Sequence, residues 1–160
     1  MTAPTPIHSS FEPEFVAGLC EIFEQRISFN QLLGIEVTEL MPERVECRIR
    51  MRPELIGHYA HQRLHGGVIS ATLDATGGLM VMAAIGARHP NETPAQRLAR
   101  FGKLGTIDLR VDYLRPGVGS WFRAQAEILR LGSRVASTRM EFRAADDTLL
   151  GVGAGAYIVS

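Results

Sequence analysis

Residues 65–74 read HGGVISATLD. A histidine and two glycines open a run that is otherwise small and apolar, and a carboxylate, Asp74, falls inside it. The run continues through Val68, Ile69, Leu73, Leu79, Met80, Val81, Met82 and Ile85, which occupy almost every side of a helix. The spacing predicts a helix over 67–86 that is covered all round. A carboxylate on such a helix loses its hydration, so its presence asks for a reason. The glycines in front leave unblocked N–H groups at a helix start, where the peptide dipoles sum to partial positive charge.

Working outward, residues 12–29 place Phe15, Leu19, Ile22, Phe23 and Ile27 at three- and four-residue steps, an amphipathic N-terminal helix lying on a surface. Residues 34–40 and 43–52 alternate, with Val45, Cys47, Ile49 and Met51 on one face and Arg44, Glu46, Arg48 and Arg50 on the other. Residues 88–104 are polar with two prolines and read as a loop with a short helical turn. Beyond them Ile107, Leu109, Val111 and Tyr113 alternate with Thr106, Asp108, Arg110 and Asp112. Strands at about 120–131, 134–144 and 148–159 follow, separated by short turns that imply an antiparallel meander. The fold class is α+β: one antiparallel sheet wrapped around the long central helix, with an extra N-terminal helix. Residues 1–160 read as a single domain, of which 1–11 form a flexible tail.

Lysine plus arginine number 17 and aspartate plus glutamate 17, so the chain presents no net charge to attract nucleic acid or an anionic membrane. Residues 66–87 are long enough to mimic a membrane span, but Asp74, Gly66, Gly67, Gly77 and Gly78 argue for a buried helix. Cys20 and Cys47 form no CxxC pair and read as reduced thiols of a cytoplasmic protein.

With the aspartate eight residues after its first glycine, HGGVISATLD is followed by TIDLRVDYLRPG at 106–117. Together these segments resemble the hotdog-fold acyl-CoA thioesterases of the phenylacetate type, over roughly residues 30–159. The resemblance implies hydrolysis of acyl-CoA to free acid and CoA, with no cofactor and no metal. It also implies a homodimer as the minimal active unit, with a dimer of dimers as a further possibility. The N-terminal helix and residues 88–104 lie outside the minimal family pattern.

Thioester hydrolysis needs an attacking oxygen and a stabiliser for the oxyanion. Gly66, with Gly67, supplies backbone N–H donors; the alternative is that these glycines only permit close packing. Asp74 serves as general base or as nucleophile, and the sequence does not separate the two. Gly66 and Asp74 stand about 12 Å apart along one helix, too far to flank one carbonyl, so each site draws on two chains. His65 orients the loop by bonding backbone. In the resembled family a serine or threonine at the position of Thr106 helps place the water. An amide side chain near the position of His58 helps hold the carbonyl, and a histidine there departs from the pattern. His58 and His61 are assigned to the substrate side rather than to a metal, since neither HExxH nor CxxC is present. Arg115, Arg123 and Arg134, near strand ends or turns, are candidates for the phosphates of CoA. The rival readings are a non-catalytic acyl-CoA binding or sensing protein and a hotdog dehydratase or hydratase.

Overall fold

In β3 (Arg44–Arg50) Val45, Cys47 and Ile49 are buried while Arg44 and Arg50 are exposed, the two-residue period of a strand with one covered face. β3 is one of seven strands in the main sheet of a computed structural model that describes residues 7–160. The others are β1 (His8–Ser9), β2 (Glu36–Leu40), β6 (Gly105–Tyr113), β7 (Trp121–Leu131), β8 (Val135–Ala144) and β9 (Leu149–Ile158). Their order is β1-β2-β3-β7-β8-β9-β6, antiparallel throughout except for β1 beside β2. A separate hairpin joins β4 (Ile56–His58) to β5 (Arg63–Leu64). The long helix α3 (Gly66–Arg88) packs against the face of the sheet that carries Val45, Ala124, Met140 and Phe142. Leu73, Leu79, Met80, Val81 and Met82 of α3 are wholly buried there. This is the helix-against-sheet arrangement expected for a hotdog fold. α3 is also long and apolar enough to cross a membrane, yet 72% of its most apolar window is buried in the protein, as befits a core helix.

The N-terminal region departs from the single helix expected over 12–29. It is α1 (Pro13–Cys20), a π-helical turn at Glu21–Arg26 and α2 (Ser28–Leu33), separated by Ile27 in extended conformation. Tertiary contacts override the local periodicity. The wide turn carries Phe23 onto Phe101, with ring centroids 5.6 Å apart. The buried Asn30 donates from Nδ2 to the Phe23 carbonyl at 2.9 Å, tying α2 back onto the turn. The Glu24 carboxylate accepts from the Val37 N–H at 2.6 Å, and burial raises its pKa above the usual carboxylate range.

Residues 1–6 of the expected tail lie outside the described residues, and His8 and Ser9 are a strand paired with Glu39 and Leu40, so the tail does not reach residue 11. Residues 88–104 hold more helix than the loop with one short helical turn expected. They contain α4 (Pro94–Ala99) and a 3-10 turn at Arg100–Lys103. Thr93 caps α4: its hydroxyl accepts from Gln96 N–H at 3.3 Å while the Gln96 side chain accepts from Thr93 N–H at 2.9 Å. Arg97 is 4% exposed; it pairs with Glu12, stacks 4.5 Å over the Phe15 ring and donates to the Gly86 carbonyl at 3.4 Å. A side chain at Gly86 would come within 2.5 Å of that same ring. α1, α4 and the C-terminal half of α3 therefore form one interlocked unit.

Candidate active site

His65 caps the start of α3, its Nδ1 accepting from Gly67 N–H at 2.8 Å. A cap of this kind stabilises a helix by about 1 kcal/mol. An accepting Nδ1 carries no proton, so the neutral ring holds its proton on Nε2. The next two N–H groups, of Val68 and Ile69, go to the His65 carbonyl at 3.0 and 3.3 Å. Gly67 is thus already engaged, which corrects its assignment as a second oxyanion donor. Gly66 keeps its N–H, because the first residue of a helix has no intrahelical acceptor. Tyr113 donates its hydroxyl to the Gly66 carbonyl at 3.0 Å, and a Cβ at Gly66 would stand 3.3 Å from that ring. Around this helix start opens a cleft of 530 Å³, whose polar lining includes His58, Arg63, His65, Tyr113 and Arg115.

Two turns further along α3, Asp74 is half-buried rather than enclosed. The expectation of all-round cover fails on this side, because β6 is the last strand of the sheet and leaves part of the helix open. Thr106 of β6 donates its hydroxyl to Asp74 Oδ1 at 2.9 Å. Simple alternation would have placed Thr106 on the face opposite Leu109 and Val111. A bulge between Thr106 and Asp108 changes the parity, turning Thr106 towards the helix and leaving Ile107 57% exposed. Behind the carboxylate, Tyr157 donates to the Asp74 backbone carbonyl at 3.2 Å. Burial, and then the Asp74 charge, hold that phenol well above its ordinary pKa. Asp74 and Thr106 line a second pocket of 280 Å³ that does not include Gly66.

The expected residues therefore divide between two openings. Gly66, His65, His58 and Arg115 meet at the cleft; Asp74 and Thr106 meet at the pocket. His61 lies against His58, ring centroids 4.7 Å apart with the planes tilted by 39°, but does not line the cleft. Arg134 lies on the exposed turn between β7 and β8 and lines neither opening; that turn is at the end of the sheet away from the cleft, where the Arg134 carbonyl accepts from Val159 N–H at 3.0 Å. Arg123 is bound to Asp147 on the sheet face turned away from α3. Arg63 of the cleft was not anticipated, although it stands two residues before His65; nor were Phe23, Ile27, Phe29, Phe101 and Leu104, which wall the pocket. Chemically, the arrangement offers a hydroxyl-supported carboxylate beside apolar space, and a free helix N–H beside basic side chains.

The chain belongs to the thioesterase superfamily, whose family profile matches residues 61–150. Among its relatives is the medium/long-chain acyl-CoA thioesterase YigI of Escherichia coli K12, 35% identical over 87% of this chain and 90% of that protein. A crystal structure from Shewanella oneidensis, described as related to the thioesterase superfamily, superposes with a TM-score of 0.85 at 39% identity, covering 94% of this chain and all of that one. A thioesterase family protein from Silicibacter pomeroyi shares the fold, with a TM-score of 0.71 at 19% identity over 90% of this chain and 96% of that one. The protein is a thioester hydrolase of this superfamily.

Proposed function

We propose that the protein hydrolyses acyl-CoA thioesters at a site shared between two copies of the chain. The observation that carries this reading is the Thr106–Asp74 hydrogen bond of 2.9 Å at the mouth of an apolar pocket. The threonine gives its one hydrogen to the carboxylate, which leaves its lone pairs to accept from a water. Asp74 takes the second proton of that arrangement as the water oxygen attacks the thioester carbon. The C–S bond then breaks, the CoA thiolate leaves and is protonated, and a carboxylic acid remains. A direct attack by Asp74 through a mixed anhydride uses the same geometry. The negative charge that develops on the carbonyl oxygen needs a preorganised donor, and the Gly66 N–H is suited to that task.

One chain cannot provide both groups to one carbonyl, because eight residues of helix separate them by about 12 Å. Pairing Asp74 and Thr106 with Gly66 of the partner subunit resolves this. The open side of α3 and the unpaired edge of β6 support such an interface, since a long edge strand with exposed Ile107 and Tyr113 is otherwise an open invitation to non-specific pairing. The cleft's arginines, Arg63 and Arg115, are suited to the phosphates of CoA. Cys20 and Cys47 are buried free thiols, each pushed up to about 12 by burial first, and support residence in the reducing cytoplasm. The test is hydrolysis of an acyl-CoA series followed with a thiol reagent, wild type against Asp74→Asn. Loss of turnover with fold and oligomeric state preserved supports the reading; near wild-type turnover overturns it.

A further inference from the structure

The 280 Å³ pocket that begins at Asp74 has walls that match no requirement of the hydrolytic chemistry. Phe23 comes from the π-helical turn, Ile27 from the break after it and Phe29 from α2. Phe101 and Leu104 come from the segment that follows α4. The floor is the side of α3 that carries Ala71, Ala75 and Gly78. Four polar residues reach this space, and each has a partner. Asp74 and Thr106 hold each other, Asn30 is bound to the Phe23 carbonyl and Tyr157 to the Asp74 carbonyl. Everything beyond the carboxylate is therefore apolar or satisfied.

Two adjacent glycines mark where the helix is packed and where it is open. A Cβ at Gly77 would collide with the Tyr157 hydroxyl and stand 2.8 Å from Met140 Sδ. A Cβ at Gly78 would meet Leu104 only at 3.6 Å and Phe23 at 3.9 Å, both ordinary contact distances. Gly78 faces available space.

We infer that this pocket holds the acyl chain of the thioester, and that the N-terminal helices and the 94–104 segment set the chain length accepted. The inference rests on the hydrolytic reading of Asp74. Its occupant is fixed by continuity: a thioester whose carbonyl lies at Asp74 must send its acyl group somewhere, and the apolar space adjoins that carboxylate. The pocket, of 280 Å³, has room for a chain of several methylenes. Each methylene buried in such a pocket raises kcat/KM about fourfold, the factor that corresponds to ~0.8 kcal/mol. The gain should therefore continue while the chain still meets apolar wall and then level off. The half-exposed Phe29 stands at the rim, and Arg97, buried between α1, α4 and α3, keeps the wall in place.

The test compares S-butyryl- and S-decanoyl-CoA as substrates, and S-butyl- and S-decyl-CoA thioethers as ligands measured by calorimetry. Wild type, Gly78→Leu and Phe29→Ala are assayed. The leucine fills the floor from within; the alanine removes an exposed rim residue and so leaves folding aside. Both variants are expected to lower the ten-carbon to four-carbon ratio, by at least tenfold for Gly78→Leu and about threefold to tenfold for Phe29→Ala, in kcat/KM and in thioether affinity alike. Ratios that stay at the wild-type value in both variants overturn the inference. If the wild type hydrolyses neither substrate while the thioether ratios still fall, the acyl pocket stands and the hydrolytic reading fails.

Discussion

Thr106 and Asp74, thirty-two residues apart in sequence, meet through a hydroxyl-to-carboxylate hydrogen bond of 2.9 Å that exists because a bulge reverses the facing of one strand. The threonine is on the edge strand and the aspartate on the core helix, so the bond also fixes the distance between the two elements. A hydrogen bond to a charged group contributes about 1.5–3 kcal/mol. Thr106→Val is expected to cut turnover by roughly tenfold to a hundredfold, with Thr106→Ser retaining most of it. Steady-state kinetics on both variants checks this; equal loss in the two would assign the effect to packing.

Asp74→Asn keeps the shape of the side chain and removes its basicity. Turnover is expected to fall about a hundredfold or more, the scale of losing a positioned base. Circular dichroism and sedimentation should match wild type.

The site proposed to be shared between two chains predicts complementation. Asp74→Asn lacks the proposed base, and Gly66→Pro lacks the proposed backbone donor while remaining acceptable at the first position of a helix. Each parent alone should be folded and nearly inactive. After subunit exchange, mixed dimers carry one site with both defects and one with neither. Activity should return towards about a quarter of wild type if association is random. Mixed dimers that form without regaining activity would place both groups within one chain.

Glu24 offers a stability test with a definite sign. Its pKa is raised in the folded state, first by burial and further by Glu36, despite the bond from Val37 N–H. Below the unfolded pKa the carboxyl is neutral in both states and costs nothing. As pH rises through the folded pKa, the native state must hold a charge it disfavours, and stability is lost. Glu24→Gln, whose amide oxygen accepts the same N–H, should therefore gain in Tm relative to wild type as pH goes from about 4 to 7. A Tm difference that is constant across that range would refute the assignment.

The adjacent glycines make opposite predictions. Gly77→Ala drives a methyl into Tyr157 and Met140, an overpacking of about 1–3 kcal/mol. Gly78→Ala has room and removes a mid-helix glycine, so a gain of about 0.5–1 kcal/mol is expected. Denaturant melts of the pair decide it.

The central helix and the meander were legible because their signals are periodic: apolar residues all round 67–86, and alternation from 106 onward. The bulge at Thr106 was not, since nothing in TIDLRVDY marks the place where facing reverses. α4 falls where a short helical turn is expected, and its signal is local: Thr93, Pro94 and Gln96 spell a capping box with proline at the first helical position. The break at Ile27 had no local signal, because the periodic residues Phe23 and Ile27 continue across it and long-range packing on Phe101 decides the outcome. Asp74 drew attention as a charge in an apolar run, but its partner came from a strand whose side chains could be assigned to a face only by parity, and parity was wrong there.

The strand order carries a consequence for synthesis. Among the described residues β6 hydrogen-bonds only to β9, with Thr106 opposite Tyr157 and Gly105 opposite Ile158. As the ribosome releases the chain, residues 105–113 have no strand to join until those near 158 have emerged. A polypeptide cut before residue 149 lacks the strand that holds β6, so nothing in the sheet would hold Thr106 against Asp74. Topology alone makes the meeting of Thr106 with Asp74 wait on a strand made later in the chain.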